Sequence, residues 1–187
     1  MARPVRDNSE TLNLPDDEPA SITIRSPAPS DGHSMWLLAS EPGGLDLNSP
    51  YAYLLAGHHF ASTSVVAEAA DGRLAGFVLA YIPPDQTDTV FVWQVATNPD
   101  FRGRGIGRQM LHAVIDRALP RGVTSMTATV TPSNEASRKL FNAVAGDRGT
   151  GCTERPCFGA ELFPGDDHEP EHEIYVGPFG GPDGNDH

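Results

Sequence analysis

The sequence predicts an α/β domain of the α+β kind, a mixed and mostly antiparallel central sheet flanked by helices. Three observations predict it. A short strand pattern, Ile22-Thr23-Ile24, opens the chain after a polar stretch; two β-branched or apolar runs meet at the hairpin signal Asp71-Gly72; and from residue 89 onward strand patterns alternate with helical ones. A hairpin supplies antiparallel neighbours, and a strand-helix-strand crossover supplies a parallel pair.

Taken in order, Ser30-Asp31 suits the cap of a helix whose Met35, Trp36, Leu38 and Ala39 form an apolar face, and Pro42-Gly43-Gly44 ends it. A second helix runs through Phe60, capped by Asn48 or Ser49, with Pro50 at its first position, where an amide proton would be unpaired in any case. Residues 63–69 and 73–82 are the hairpin strands, closed by Pro83-Pro84, and residues 89–97 form the central strand. Pro99 then sets a turn, a glycine-rich loop follows, and a helix opens near Ile106. Its apolar positions Ile106, Met110, Leu111, Val114, Ile115, Ala118 and Leu119 recur at helical spacing as one buried stripe, which Pro120 and Gly122 stop. Residues 123–131 form a strand, Pro132-Ser133-Asn134 begins a helix through Ala145, and a loop after Gly146 leads past Pro164-Gly165 to a final strand at 172–176. One domain over residues 21–177 is expected, between disordered tails at 1–20 and 178–187.

Composition narrows the function classes. The net charge of −12 and pI near 4.8 set the chain against nucleic acid and anionic membrane, and no apolar run reaches the ~18 residues of a membrane span. The polar N-terminus has no apolar core of a secretory signal, so a cytoplasmic protein is expected. Cys152 and Cys157 enclose four residues, which is not a zinc-pair spacing; a disulfide stays open, and a reduced chain fits the cytoplasm. His58 and His59 are adjacent on a helix and point about 100° apart, so no metal is predicted there or elsewhere.

The chemistry concentrates at Arg102-Gly103-Arg104-Gly105-Ile106-Gly107, which follows the central strand and opens a helix. Glycines there allow positive φ and close backbone approach, the first helical amides point outward, and Arg102, Arg104 and Arg108 gather positive charge in an acidic chain. That describes a phosphate site. It lacks the Gly-x-Gly-x-x-Gly spacing of a dinucleotide fold and the Gly-Lys-Ser/Thr of a Walker loop.

This Arg-x-x-Gly-x-Gly loop, with Val95-Ala96-Thr97 on the strand before it, resembles the acetyl-CoA-dependent N-acetyltransferases of the GNAT superfamily, and the element order over residues 21–177 resembles that fold. The resemblance implies acetyl-CoA as cosubstrate. It implies that Val95, Ala96 and Thr97 pair with the pantetheine arm, as an added strand would, and that Arg102, Gly103, Arg104, Gly105, Ile106, Gly107 and Arg108 hold the pyrophosphate. Asn134-Glu135-Ala136-Ser137-Arg138-Lys139-Leu140-Phe141 is similar to the family's second helix motif, which assigns Asn134 and Ser137 to the cofactor. Many members carry a tyrosine, able to protonate the departing thiolate, where this chain has Phe141; phenylalanine has no proton to give. The resemblance also implies central strands that splay to make a cleft, with a backbone amide near residues 95–97 facing the oxyanion.

Three stretches are more specific: Leu45-Asp46-Leu47-Asn48-Ser49-Pro50-Tyr51-Ala52-Tyr53, Phe91-Val92-Trp93-Gln94-Val95 and His168-Glu169-Pro170-Glu171. With Val130-Thr131-Pro132-Ser133-Asn134 they resemble the diaminobutyrate acetyltransferases of ectoine synthesis, which acetylate the γ-amine of L-2,4-diaminobutyrate toward a solute made under osmotic stress. Homodimers are common among them. The substrate has two ammonium groups, so Asp46 and Glu171 are expected to hold them, with Trp93 as an apolar wall facing the side of Val95 and Tyr51 as a hydrogen-bond donor to substrate or thiolate. The γ-ammonium, with a pKa of about 10, must lose a proton before it attacks. His168 is the preferred base, directly or through water, and Glu171 the alternative. Residues 159–173, rich in glycine and proline, are expected to close over bound substrate. Two other functions remain open: acetylation of a different small amine, and a non-catalytic acetyl-CoA sensor.

Overall fold

The computed structural model describes residues 21–41, 46–165 and 168–180. The expected tails, apart from residues 178–180, and the Pro42-Gly43-Gly44 stop lie outside them. Within the described residues seven strands form one sheet: β1 (Ile22–Arg25), β2 (Val65–Ala69), β3 (Leu74–Tyr81), β4 (Thr89–Thr97), β5 (Ser125–Val130), β6 (Gly151–Phe158) and β7 (Glu171–Gly177). Their spatial order is β1-β2-β3-β4-β5-β7-β6, antiparallel throughout except for the β4/β5 pair.

Helices cover both faces. Met35 and Ala39 of α1 (Gly32–Ala39) and Tyr53 and Ala56 of α2 (Pro50–His59) pack with Phe77 and Leu79 on one side. On the other, α3 (Ile106–Ala118) and α4 (Glu135–Asp147) bury Met110, Leu111, Ile115, Phe141 and Val144 against Val78, Val90 and Met126. Each large side chain so buried removes apolar area worth about 1.5–3 kcal/mol, which sets α3 firmly under the sheet centre. The predicted α3 stripe is buried from Ile106 to Ala118. Leu119, counted with it, is 37% exposed because the chain tightens into a 3-10 turn at Leu119–Arg121 and rotates that residue outward.

Several local expectations change. The loop at Asp71-Gly72 spans three residues rather than two: Ala69 N donates to Arg73 O and Gly72 N to Ala69 O, and only Gly72 has positive φ. A two-residue type I′ turn would need positive φ at Asp71 as well, a conformation a glycine adopts far more readily than an aspartate. Asp31 does not cap α1 with its carboxylate. It binds Arg25 at 2.7 Å and the Ala28 amide at 2.7 Å, and the guanidinium holds its carboxyl below the usual range. The loop expected after Gly146 contains a whole strand, β6, almost all exposed at the sheet edge. Phe179, assigned to the C-terminal tail, is buried in the main core and its amide donates to Thr124 O at 2.6 Å.

One irregularity shapes everything that follows. Leu79 pairs with Gln94 and Ala80 with Val92, so β4 carries an extra residue, Trp93, and its alternation changes phase there. Val92 therefore lies in the α3/α4 core while Ala96, four residues on, lies in the α1/α2 core. An unbroken strand would put both on one face.

Candidate active site

β4 and β5 pair from Thr89 and Ser125 to Val92 and Ala128 and then part, although β4 runs on to Thr97 and β5 to Val130. The pairing stops where the bulge begins. Beyond it β4 pairs with β3 alone, which leaves its other edge open to an extended ligand arm. Two cavities of about 710 and 600 Å³ occupy the gap, and Val95, Thr131, Asn134 and Ser137 belong to the walls of both.

The larger cavity is lined by half of the residues expected to hold the cofactor, Val95, Ala96, Thr97, Arg102, Asn134 and Ser137; the residues from Gly103 to Arg108 are not in its walls. Gly103 and Gly105 both have positive φ, and Gly105 is the residue from which α3 starts. Gln109 N donates to Gly105 O, so the amides of Ile106, Gly107 and Arg108 come before the helical ladder begins. These are the free donors and the glycine-only backbone that a pyrophosphate site needs. Asn134 caps α4 by accepting from Ser137 N at 3.1 Å.

The three loop arginines diverge. Arg102 lines the cavity, Arg104 lies 5.3 Å from the centre of the Phe101 ring, and Arg108 is ion-paired with Asp147 on α4, holding that carboxyl down to about 2. The positive patch that the sequence implies is thus carried toward the cavity by Arg102. Replacing Arg102 with Ala is expected to raise KM for acetyl-CoA roughly ten- to a hundredfold, the worth of one charge-assisted hydrogen bond, with kcat little changed. Initial rates at varied acetyl-CoA check this.

The smaller cavity is lined by Asp46, Asn48, Trp93, Gln94, Phe141, Phe163, His168 and Glu171, among others. Ligating atoms of Asp46, His168 and Glu171 lie within 4.8 Å of one another, so the structure brings together the three groups that the sequence proposes for the amine. Their donor types would also suit a divalent cation. His168 Nε2 stands 3.6 Å from Asp46 Oδ2, its Nδ1 is 2.5 Å from Glu169 O, and its ring stacks on Phe163 at 3.7 Å. The carbonyl contact places a proton on Nδ1, and together with Asp46 it raises the imidazole pKa. Burial raises the Glu171 carboxyl, whose Oε2 is buried with no hydrogen-bond partner.

Two expectations need correction. Tyr51 is 65% exposed and lines neither cavity; it sits in the first turn of α2, about 200° around the helix from Tyr53, which is wholly buried. Trp93 does wall the cavity, but as the bulge residue, so strand alternation from Val95 does not place it. Sequence reasoning missed Gln94, Tyr53 and Phe163. Gln94 Oε1 accepts from Tyr53 Oη at 3.1 Å, and its Nε2 donates to the Asp46 carbonyl at 2.8 Å. A buried glutamine in a strand of apolar residues was the available signal; nothing marked Phe163. Glu169 ties the His168 segment to the turn before α4 by accepting from Ser133 N at 3.2 Å and from its hydroxyl.

The acetyltransferase (GNAT) family profile matches residues 33–146. The chain is 44% identical over 159 residues to the L-2,4-diaminobutyric acid acetyltransferase of Halalkalibacterium halodurans, covering 85% of this chain and 83% of that one. Against the protein of the same name from Bordetella parapertussis it is 44% identical over 177 residues, covering 91% and 95%. Among solved structures, the diaminobutyrate acetyltransferase EctA from Paenibacillus lautus, in complex with its substrate L-2,4-diaminobutyric acid and coenzyme A, matches with a TM-score of 0.82. It is 39% identical, and the match covers 87% of this chain and 98% of that one.

Proposed function

The chain belongs to the GNAT acetyltransferases and, within them, to the L-2,4-diaminobutyric acid acetyltransferases, and from that membership we propose how its two cavities divide the reaction. The protein is an acetyl-CoA-dependent acetyltransferase acting on diaminobutyrate. The observation that carries the division is the cluster of Asp46, His168 and Glu171 in the cavity that joins the phosphate-binding one at Val95, Asn134 and Ser137.

Charge supports the acceptor. With His168 protonated the cluster totals −1, and diaminobutyrate, with two ammonium groups and one carboxylate, totals +1. No Lys or Arg lines this cavity among the described residues, so protonated His168 is the cation available to the substrate carboxylate. That assigns Glu171 as proton acceptor: its partnerless Oε2 awaits a donor, and its raised pKa makes it a better base than an exposed carboxylate. Asp46 then holds the α-ammonium.

Acetyl-CoA supplies the acetyl group and leaves as the thiol. Glu171 removes one proton from the γ-ammonium, and the freed lone pair forms the N–C bond as the C–S bond breaks. A second proton, made acidic on that nitrogen by bond formation, passes to sulfur, so the step balances without a tyrosine at Phe141. A backbone amide near residues 95–97, on the strand edge that β5 leaves unpaired beyond Val92, is the donor to the developing oxyanion.

The same reading places the enzyme in ectoine synthesis under osmotic stress, in the cytoplasm, where free Cys152 and Cys157 suit a reducing compartment. Exposed Leu37, Leu47, Tyr51 and Leu54 favour a homodimer through the α1/α2 side. Among the described residues no helix is long and apolar enough to cross a membrane. Thiol release from acetyl-CoA with diaminobutyrate, ornithine, lysine, spermidine and a peptide tests the function. Preference for diaminobutyrate is expected. Preference for another amine would replace the substrate, and acetyl-CoA binding without turnover of any amine would make the protein a sensor.

A further inference from the structure

Asp46 carries a role in binding, yet its carboxylate is almost fully exposed. Among the described residues, the hydrogen bond from Gln94 Nε2 to the Asp46 carbonyl is the one that ties the backbone of residues 46–48 to the rest of the protein, while the Asp46 carboxylate has its contact with His168 at 3.6 Å. Gln94 is 5% exposed, and its other end is occupied by the hydroxyl of Tyr53, itself 0% exposed. Each member fixes the next. The Tyr53 hydroxyl orients the amide so that Nε2, rather than Oε1, meets the Asp46 carbonyl, and the bulge at Trp93 turns Gln94 to that side of β4.

We propose that Gln94 and Tyr53 are positioning residues for the acceptor amine: through two buried hydrogen bonds they pin the Asp46 backbone and so hold its carboxylate beside His168 and Glu171. This rests on the reading of Asp46 as an ammonium holder. Gln94 lines the acceptor cavity with both of its amide atoms engaged, by Tyr53 and by the Asp46 carbonyl, and Tyr53 lines neither cavity. Buried polar side chains in this layer would otherwise be a liability, since Phe77, Leu79 and Met35 around them are apolar.

The test combines kinetics with an observable that needs no turnover. Gln94→Leu is expected to raise KM for diaminobutyrate about tenfold or more, with the Kd of acetyl-CoA unchanged, and Tyr53→Phe, which removes one hydroxyl, a few-fold. Gln94→Glu, which still accepts from Tyr53 but presents an acceptor to the Asp46 carbonyl, is expected to resemble Gln94→Leu. In the double variant Gln94→Leu/Asp46→Asn, KM is expected to match that of Asp46→Asn alone, because an unpinned carboxylate and an absent one are equivalent. The His168 imidazole titration, followed by NMR, is expected to fall in Gln94→Leu as it does in Asp46→Asn, since Asp46 helps to raise it. An unmoved titration in Gln94→Leu overturns the proposal whatever the enzyme acetylates. So do multiplicative KM effects in the double variant. Wild-type protein inactive on diaminobutyrate, with the titration shift still present, would instead overturn the substrate assignment and leave the positioning role standing.

Discussion

Glu171→Gln is expected to lower kcat for diaminobutyrate by about 10²–10⁴, the usual worth of a positioned base, while acetyl-CoA binds as before. The substitution keeps the shape of the side chain and replaces the partnerless, buried Oε2 by an amide that either cannot take a proton or presents a donor to a donor. The pH profile supplies the independent sign. Because burial raises the Glu171 carboxyl, wild-type kcat/KM is expected to fall on the acid side through a pKa above the ordinary carboxylate value of about 4.3, as the group becomes protonated and loses its role. On the alkaline side KM is expected to rise as His168, whose pKa is raised by Glu169 O and Asp46, loses the proton that answers the substrate carboxylate. In the Gln variant the acid limb should vanish. If Glu171→Gln keeps kcat within a few-fold and His168→Gln loses it, the imidazole is the base and the assignment reverses.

The parts of the fold that were legible are those where one face is buried and the period is regular. The α3 stripe is of this kind; the strand from Thr89 to Thr97 was legible in its bounds by its β-branched and apolar content, and the structure places both within a residue of the expectation. β6 was not legible because it lies at the sheet edge with nearly every residue exposed and Pro156 inside it, so neither alternation nor apolar content marks it. The Trp93 bulge was invisible for a different reason. Strand alternation assumes a period of two, and the extra residue is defined by pairing with β3, a long-range fact that β4 does not carry by itself. That one shift hid Gln94, which turns toward Tyr53 and Asp46. Resemblance supplied Asp46, His168 and Glu171 as separate residues, and the segment before α2, the residues leading into β7 and the first residue of β7 bring them within 4.8 Å. It also supplied Tyr51, which the first turn of α2 points away from both cavities.

Phe101→Ala is expected to be the costliest single change near the cofactor loop, lowering stability by about 3–5 kcal/mol out of a total of about 5–15. Phe101 is 2% exposed and belongs to the α3/α4 core, at the end of the 3-10 turn Pro99–Phe101 that carries the chain from β4 to the glycines. Asn98 builds that turn: its Oδ1 accepts from Asp100 N at 3.0 Å, and its Nδ2 donates to Leu74 O at 3.1 Å. The ring is therefore the anchor between a strand end and a loop that otherwise has open space around Gly103. Arg73 and Arg104 lie over its outer side, where solvent weakens their attraction, so Arg73→Ala is expected to change stability little. Removing the ring leaves a cavity under the loop and frees Arg102, the next residue, from its place on the wall of the larger cavity. The melting temperature should fall by roughly 6–20 °C, and KM for acetyl-CoA should rise in whatever protein remains folded. Phe101→Leu, which keeps most of the buried volume, should recover much of both. If Phe101→Ala melts with the wild type, the loop is held by its own turn and the core contact is incidental.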